Sequence, residues 1–293
     1  MLVSQKVRST ALQRLFKALT RNRYAFALEK PLRLVERNFC LAILSIFLLL
    51  VMLTGCIRPS EPVWTEIPTA EQLLIKLASE SGRYVSLDGA ANVSLTTGEK
   101  YFSSEQFLLL QKPNRLRADV LTGFGQLILQ MTSDGEILSV FLNTTVPGRF
   151  LRGPASYENI FRFVRIPLAA EDLLTLLLYD PPLIAYQHSR VKIVSEVLTL
   201  ILSGSNNRQE LRFDRQLQLI GCSYFRDGEK YLSVDYQKFS SENKFPHTIK
   251  IAMPLEQTRV KMKFSELKVN GSIDIVKFQL KNPVNIPIES LPN

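Results

Sequence analysis

The spacing of apolar and polar residues predicts β-strands over most of the chain after Tyr84. From Val85 to Leu95 an apolar or small residue occupies every second position, which is the period of a strand with one covered face. Asp134-Gly135 and Asp227-Gly228 lie between such segments and are strong hairpin signals. About eleven strands are predicted in this way, at residues 85–95, 101–111, 116–121, 126–131, 136–142, 190–202, 209–213, 216–225, 230–238, 247–253 and 258–264.

A period of 3.6 residues predicts three helices. The first begins after Thr69, which forms a capping box with Gln72. The second begins after Ser156, and the third follows residues 166–168 and ends before Pro181. The third helix is apolar on nearly all sides, which indicates burial. The apolar residues of the three helices are Leu73, Leu74 and Leu77; Ile160, Phe161 and Val164; and Leu173, Leu174, Leu176, Leu177 and Leu178.

Antiparallel strands with helices packed against one face define an α+β fold. In the last predicted strand the apolar and charged residues separate completely: Val260, Met262 and Phe264 alternate with Arg259, Lys261 and Lys263. One face of the sheet is therefore expected to be solvated and the other covered. A sheet of this size tends to curl, so that helices on its concave side would cover an apolar interior.

An uncharged run of about 15 residues, from Phe39 to Leu53, is shorter than the roughly 20 residues that a membrane-spanning helix needs. Arg33 and Arg37 precede it, which is the layout of a secretory signal segment. The closing residues Leu53-Thr54-Gly55-Cys56 resemble a bacterial lipobox. That resemblance implies cleavage before Cys56, which would then carry a diacylglyceryl group and an acyl chain. The alternative is a short membrane anchor with an incidental cysteine.

The signal segment also changes the meaning of the net charge, which is +9 for the whole chain. Residues 1–38 contain nine Lys or Arg and two acidic residues, whereas the 238 residues from Cys56 onward contain 27 basic and 25 acidic residues. The basic character belongs mostly to the segment that would be removed. No nucleic-acid partner is therefore expected, because such a partner requires a basic surface on the folded domain.

The chain offers few residues for catalysis or metal binding. His188 and His247 lie 59 positions apart, and no cluster has the spacing of metal ligands. No nucleophile elbow, phosphate-binding loop or dinucleotide fingerprint is present. Cys222 has no partner for an intramolecular disulfide if Cys40 is removed and Cys56 is lipidated, so it is expected to be a small buried residue. We predict neither enzymatic activity nor a cofactor nor a metal.

Residues 87–269 resemble the LolB family of outer-membrane lipoprotein receptors and, more distantly, its periplasmic partner LolA. The resemblance rests on the order of several short motifs: Asp88-Gly89-Ala90, Leu121-Thr122-Gly123-Phe124-Gly125, Ile166-Pro167-Leu168, Leu173–Leu178 followed by Pro181, and Thr258–Lys263. The chain departs from the family in three ways. Leucine replaces a tryptophan in the third helix, Asp180 lies near an expected glycine, and residues 271–293 extend past the usual end.

This resemblance implies an incomplete antiparallel β-barrel of about eleven strands, with a helical lid over an apolar cavity. It implies a monomeric envelope protein, anchored through Cys56 on the periplasmic face of the outer membrane, that receives lipoproteins from a LolA-like periplasmic carrier. Phe124 would insert into the membrane, and the cavity would bind the acyl chains. We expect the cavity to be lined by Phe161, Val164, Leu173, Leu174 and Leu177 from the lid and by Val120, Leu127, Leu129 and Phe141 from the sheet.

Four regions follow from these observations. Residues 1–55 are an N-terminal extension with the signal peptide, and residues 56–68 are a tether after the lipidated cysteine. Residues 69–270 form the LolB-like domain, and residues 271–293 form a C-terminal extension. An alternative function remains, namely a structural or assembly lipoprotein of the outer membrane that uses the same fold to bind another lipid or a protein partner.

Overall fold

A computed structural model describes Trp64 and residues 66–166, 168–195, 197–283 and 286–292. The chain divides into two units, and the second, Trp64–Asn293, contains all of these residues. The predicted signal segment and Cys56 lie outside the described residues.

The three helices predicted from the sequence are confirmed. Helix α1 (Ala70–Glu80) begins with the capping box, in which the Thr69 side chain accepts from the Gln72 backbone at 3.2 Å and the Gln72 side chain accepts from the Thr69 backbone at 2.8 Å. Helix α2 (Tyr157–Val164) is capped by Ser156 and ends at Arg165, which has a left-handed conformation. Helix α3 (Ala170–Leu177) has no side-chain cap. A short 3₁₀ helix follows much later, at Ile275–Phe278.

The strands form one large open sheet in the described part of the chain. Its order is β14-β6-β5-β4-β3-β2-β1-β13-β12-β11-β10-β9-β8-β7. Neighbours are antiparallel, except for β14, which lies parallel to β6. The strands are β1 (Ser86–Thr97), β2 (Lys100–Gln111), β3 (Arg115–Leu121), β4 (Leu127–Ser133), β5 (Ile137–Leu142), β6 (Arg149–Pro154), β7 (His188–Val194), β8 (Val197–Ser203), β9 (Asn207–Phe213), β10 (Leu219–Arg226), β11 (Glu229–Phe239), β12 (Pro246–Met253), β13 (Thr258–Val269) and β14 (Ile288–Ser290).

The prediction of about eleven strands was too low by three. The segment 190–202 is a hairpin of β7 and β8, because the chain reverses at Ser195, whose φ is 48°. Strand β6 has no clear alternation, since two arginines, a glycine and a proline occupy four of its six positions. Strand β14 has three residues, which is too short for any periodic pattern.

The sheet has two distinct faces. We define the inner face as the one that packs against helices α2 and α3, with Leu108, Leu116 and Val140 among its buried residues. Because successive side chains of a strand point to opposite faces, the neighbours of these residues lie on the outer face. In β13 the alternation is regular, with Val260 and Met262 buried and Arg259, Lys261 and Lys263 exposed. The prediction of one covered and one solvated face is confirmed for this strand.

The C-terminal residues cross the sheet and pack against it. Arg117, on the outer face of β3, donates to the Lys277 carbonyl at 3.2 Å, and the neighbouring Phe278 is buried. The chain then reaches the free edge of β6, where β14 pairs in parallel. Beyond β14, Leu291 joins the hydrophobic core, and the fully buried Asn159 of α2 donates to the Pro292 carbonyl at 2.8 Å. Residues 271–283 and 286–292 thus form a strap that ties the outer face, a sheet edge and α2 together.

Candidate ligand cavity

An apolar cavity of about 280 Å³ lies between the inner face of the sheet and the helices α2 and α3. Strands β1 to β4 and β13 form its floor, and leucines of α3 form part of its roof. Its polar lining is sparse and includes Ser104 and Gln106, where the Gln106 amide donates to the Ser104 hydroxyl at 3.0 Å. This lining can hold an apolar chain by burial, and two polar groups remain to contact a polar end of such a ligand.

Six of the nine residues proposed from the sequence line this cavity. They are Val120 and Leu129 from the sheet, and Val164, Leu173, Leu174 and Leu177 from the two helices. The helical residues come together because α3 places its buried leucines three and four positions apart on one side.

The other three residues, Leu127, Phe141 and Phe161, are not among the lining residues. Phe141 faces the opposite side of the sheet, since its neighbour Val140 belongs to the core and Phe141 itself pairs with Phe150. At Leu127 a register shift between β3 and β4 interrupts the alternation, and Ile128 and Leu129 line the cavity instead. The Phe161 ring stacks on Tyr157, with ring centroids 6.1 Å apart.

Sequence reasoning missed several lining residues that alternation could have identified. Val260 and Met262 alternate with charged residues in β13, and both reach the cavity. Val93, Leu95 and Phe102 lie at alternate positions of the first hairpin and do the same. Phe163 and Ile166 carried no comparable signal, because they lie in the short α2 and in the loop after it.

The C-terminal end of α3 is held by hydrogen bonds from tyrosines on the sheet and beside it. The Tyr236 hydroxyl donates to the Leu176 carbonyl at 3.0 Å, and the Tyr179 hydroxyl donates to the Leu219 carbonyl at 2.7 Å. Burial raises the pKa of both phenols above the ordinary value, so both remain protonated donors at neutral pH. These bonds fix one end of the helix.

Asp180, which lies near the glycine expected from the LolB pattern, holds the C-terminal end of α3 through its charge. Its carboxylate forms an ion pair with Lys112 and accepts from the Gly82 backbone at 3.0 Å. It thereby joins the β2–β3 turn and the end of α1 to the segment after α3. The N-terminal end of α3, in contrast, lacks a side-chain cap. The two ends of the cavity roof are therefore held unequally.

Phe124 lies at the tip of the β3–β4 loop with 95% of its surface exposed. The Thr122 hydroxyl accepts from the backbone of Phe124 at 3.3 Å and of Gln126 at 3.1 Å, which makes the loop a compact turn. Gly125 has a φ of 77°, a conformation that favours glycine. The turn thus presents the phenyl ring to solvent.

Antiparallel connectivity brings further apolar residues to the same end of the sheet. The β3–β4, β5–β6 and β12–β13 connections all lie there, and each exposes one large apolar side chain: Phe124, Val146 and Leu255 respectively. We call this the Phe124 end of the sheet.

The described residues include no cluster of histidine, cysteine, aspartate or glutamate able to hold a metal ion. Cys222 is fully buried, and desolvation raises the pKa of its thiol to about 12, so the group is protonated at neutral pH. No helix in the described ranges is long and apolar enough to cross a membrane.

No protein-family model and no curated protein matches the chain. Among solved structures, similarity is found to a DUF1329 family protein from Desulfovibrio piger, with 12% identity, a TM-score of 0.47 and coverage of 72% of this chain and 95% of that one. A protein domain from Vibrio parahaemolyticus described as outer-membrane lipoprotein-sorting has 12% identity, a TM-score of 0.45 and coverage of 71% and 97%. A LolA superfamily protein from Nitrosomonas europaea has 13% identity, a TM-score of 0.45 and coverage of 71% and 97%.

Proposed function

We propose that this protein binds the acyl chains of lipoproteins in the cavity under α2 and α3 and helps to insert them into the outer membrane. The observation that carries the proposal is the apolar lining of the cavity, which combines the inner face of the sheet with the leucines of α3. The proposed anchor is Cys56, on the periplasmic face, and the proposed donor is a LolA-like carrier. The resemblance of residues 87–269 to LolB supports these details.

The energetics of acyl transfer favour such a cavity. Removing each CH₂ group from an apolar environment into water costs about 0.8 kcal/mol, so an acylated protein does not leave a membrane unaided at a useful rate. A receptor must offer apolar surface in exchange. No catalytic group is required for this exchange.

The cavity needs to enlarge for a lipoprotein with several acyl chains. Its volume of about 280 Å³ is at the lower limit of ligand pockets, which typically measure roughly 300–1,000 Å³. We propose that α2 and the N-terminal end of α3 act as a lid that moves away from the sheet. The hydrogen bonds and the ion pair at the C-terminal end of α3 would serve as its fixed side.

Native mass spectrometry of residues 64–293 tests the acyl-binding function directly. This fragment corresponds to the unit that contains the described core. We expect an added fatty acid or a synthetic triacylated lipopeptide to bind with one-to-one stoichiometry. A fragment that stays ligand-free at saturating lipid would contradict acyl binding and favour the assembly function. Within the strap, Phe278 and Leu291 are buried in the molecule, whereas Ile288 stays exposed and would be available to a protein partner under that alternative.

Replacement of Phe124 by glutamate is expected to impair insertion and to leave acyl binding intact. A charged side chain at an exposed tip does not disturb the core, but it opposes entry into the apolar part of a bilayer. The measurement is the rate at which a fluorescent lipopeptide moves from the protein into liposomes. Ile75→Glu, which changes another exposed apolar residue on α1, serves as the control. Equal transfer rates for the Phe124 variant and the unmodified protein would contradict a role of this loop.

A further inference from the structure

The folded domain has a nearly balanced net charge, but the outer face of its sheet carries a basic surface. Lys250 of β12 pairs directly with Lys261 of β13, and Arg259 and Lys263 lie two positions away on either side of Lys261. All four side chains share the outer face, since the intervening Val260 and Met262 line the inner cavity. We call Lys250, Arg259, Lys261 and Lys263 the basic patch.

The side chains of the basic patch form no ion pairs with other side chains in the described part of the chain, where the ion pairs involve Lys112, Arg117, Arg149 and others. On the adjoining strand β11, Asp235 lies directly opposite Lys250, and its carboxylate is engaged by Arg212. Like charges placed directly opposite each other destabilise a sheet. The pair Lys250–Lys261 therefore carries a local electrostatic cost, which an anion lying over the patch would reduce.

Hydroxyl and apolar groups border the patch on the side of the Phe124 end. Ser94 of β1 pairs with Lys261, and the Tyr101 hydroxyl donates to the Ser94 hydroxyl at 3.3 Å. Leu255, which is 62% exposed, lies in the turn that leads into Arg259. That turn is joined to the first hairpin by a bond from the Gly98 backbone to the Gln257 carbonyl at 3.1 Å. Cations, hydroxyls and exposed apolar groups thus occur together on this part of the sheet, beside one exposed acidic residue of the same turn, Glu256.

We propose that the basic patch and the adjoining Leu255 turn form a docking surface for a bilayer that contains anionic phospholipids. Lys250, Arg259, Lys261 and Lys263 contact headgroup phosphates, while Leu255 and the Tyr101 ring lie at the interface below them. This combination of chemistries matches a membrane surface, where cations meet phosphates and aromatic or aliphatic groups enter the headgroup layer. The position of Tyr101 and Leu255 beside the cations favours a membrane, because aromatic and aliphatic groups enter the headgroup layer next to the phosphates.

The test measures partition of residues 64–293 into vesicles of phosphatidylcholine alone and of phosphatidylcholine mixed with phosphatidylglycerol. The fragment lacks the basic residues 1–38, so that their charge does not contribute. Lys261→Glu/Lys263→Glu is compared with Arg162→Glu/Lys281→Glu, which makes the same change in net charge at exposed positions outside the patch. Each cation near an anionic surface contributes a factor of about five to partition.

We expect the unmodified fragment to prefer the anionic vesicles, with a preference that falls as salt is added. The patch variant is expected to lose at least twentyfold in partition, and the control variant less than about threefold. Equal losses in the two variants, or equal binding to both kinds of vesicle, would overturn the proposal. So would binding to poly-glutamate with no binding to vesicles, since that result identifies an acidic protein as the partner. Acyl binding in the cavity is measured separately, so either proposal can fail alone.

Discussion

Replacing Leu291 by alanine is expected to lower the free energy of unfolding by about 3 kcal/mol, as is typical of leucine deletions in a packed core. Leu291 is 4% exposed and belongs to the main hydrophobic core, although only two residues of this sequence follow it. Its fit is tight, because a Cβ atom added at Gly153 would lie 2.6 Å from the Leu291 Cβ. The substitution leaves a cavity where the strap enters the core.

Urea unfolding of residues 64–293 provides the measurement, and Ile288→Ala provides the matched control. Ile288 lies on β14, three positions earlier, and is 53% exposed. Its truncation removes an aliphatic side chain from the same strap with little lost burial, so we expect a change below about 0.5 kcal/mol. Similar small effects from both substitutions would mean that the strap contributes little to the stability of the domain.

The role of the strap could not be predicted from sequence because its contacts are distant along the chain. Residues 271–293 contain apolar residues at irregular spacing, with neither a strand period nor a helix period. Phe278 packs near β3, and Leu291 packs beside β6 and α2, more than a hundred residues earlier. Periodicity reports only which face of an element is covered, and it carries no information on which distant segment covers it.

Most of the sheet was predictable because its strands leave a local pattern in the sequence. Where one face is covered and the other is solvated, as in β13, burial imposes the alternation that identifies a strand. The β7 edge of the sheet was harder to predict. Strand β7 is exposed at six of its seven positions and β8 is buried at five of seven, so neither strand alternates and the turn between them gave no clear signal.

The lining of the cavity was partly predictable, and each residue placed elsewhere by the structure has a local explanation. The leucines of α3 were predictable as cavity residues because they make the helix apolar on nearly all sides, and such a helix is expected to be buried. Phe141 illustrates the limit of choosing residues by size alone. It lies between two aliphatic residues, Val140 and Leu142, that point to the inner face, so the alternation directs its ring outward. The alternation of inner and outer positions along a strand predicts cavity-lining residues better than side-chain size does.

Replacing Ala118 by phenylalanine is expected to weaken acyl binding by at least tenfold. Ala118 lines the floor of the cavity in the middle of β3, between Leu108 and Met131 on the adjacent strands. An added benzyl group would occupy the space that the ligand needs. Because the group enters an existing cavity of about 280 Å³ and not a packed core, the usual cost of overpacking, about 1–3 kcal/mol, should be largely avoided.

Competition between a fluorescent fatty acid and an unlabelled one gives the dissociation constant for the variant and for its control, Ser103→Phe. Ser103 lies on the neighbouring strand β2, exposed on the outer face, so the same ring is added to the sheet without entering the cavity. We expect the control to bind as the unmodified fragment does. A folded Ala118 variant with unchanged affinity would exclude this cavity as the acyl site, even if the protein binds lipid elsewhere. Loss of binding in the Ala118 variant alone would tie lipid affinity to the space between α3 and the sheet, as the proposed acyl-binding function requires.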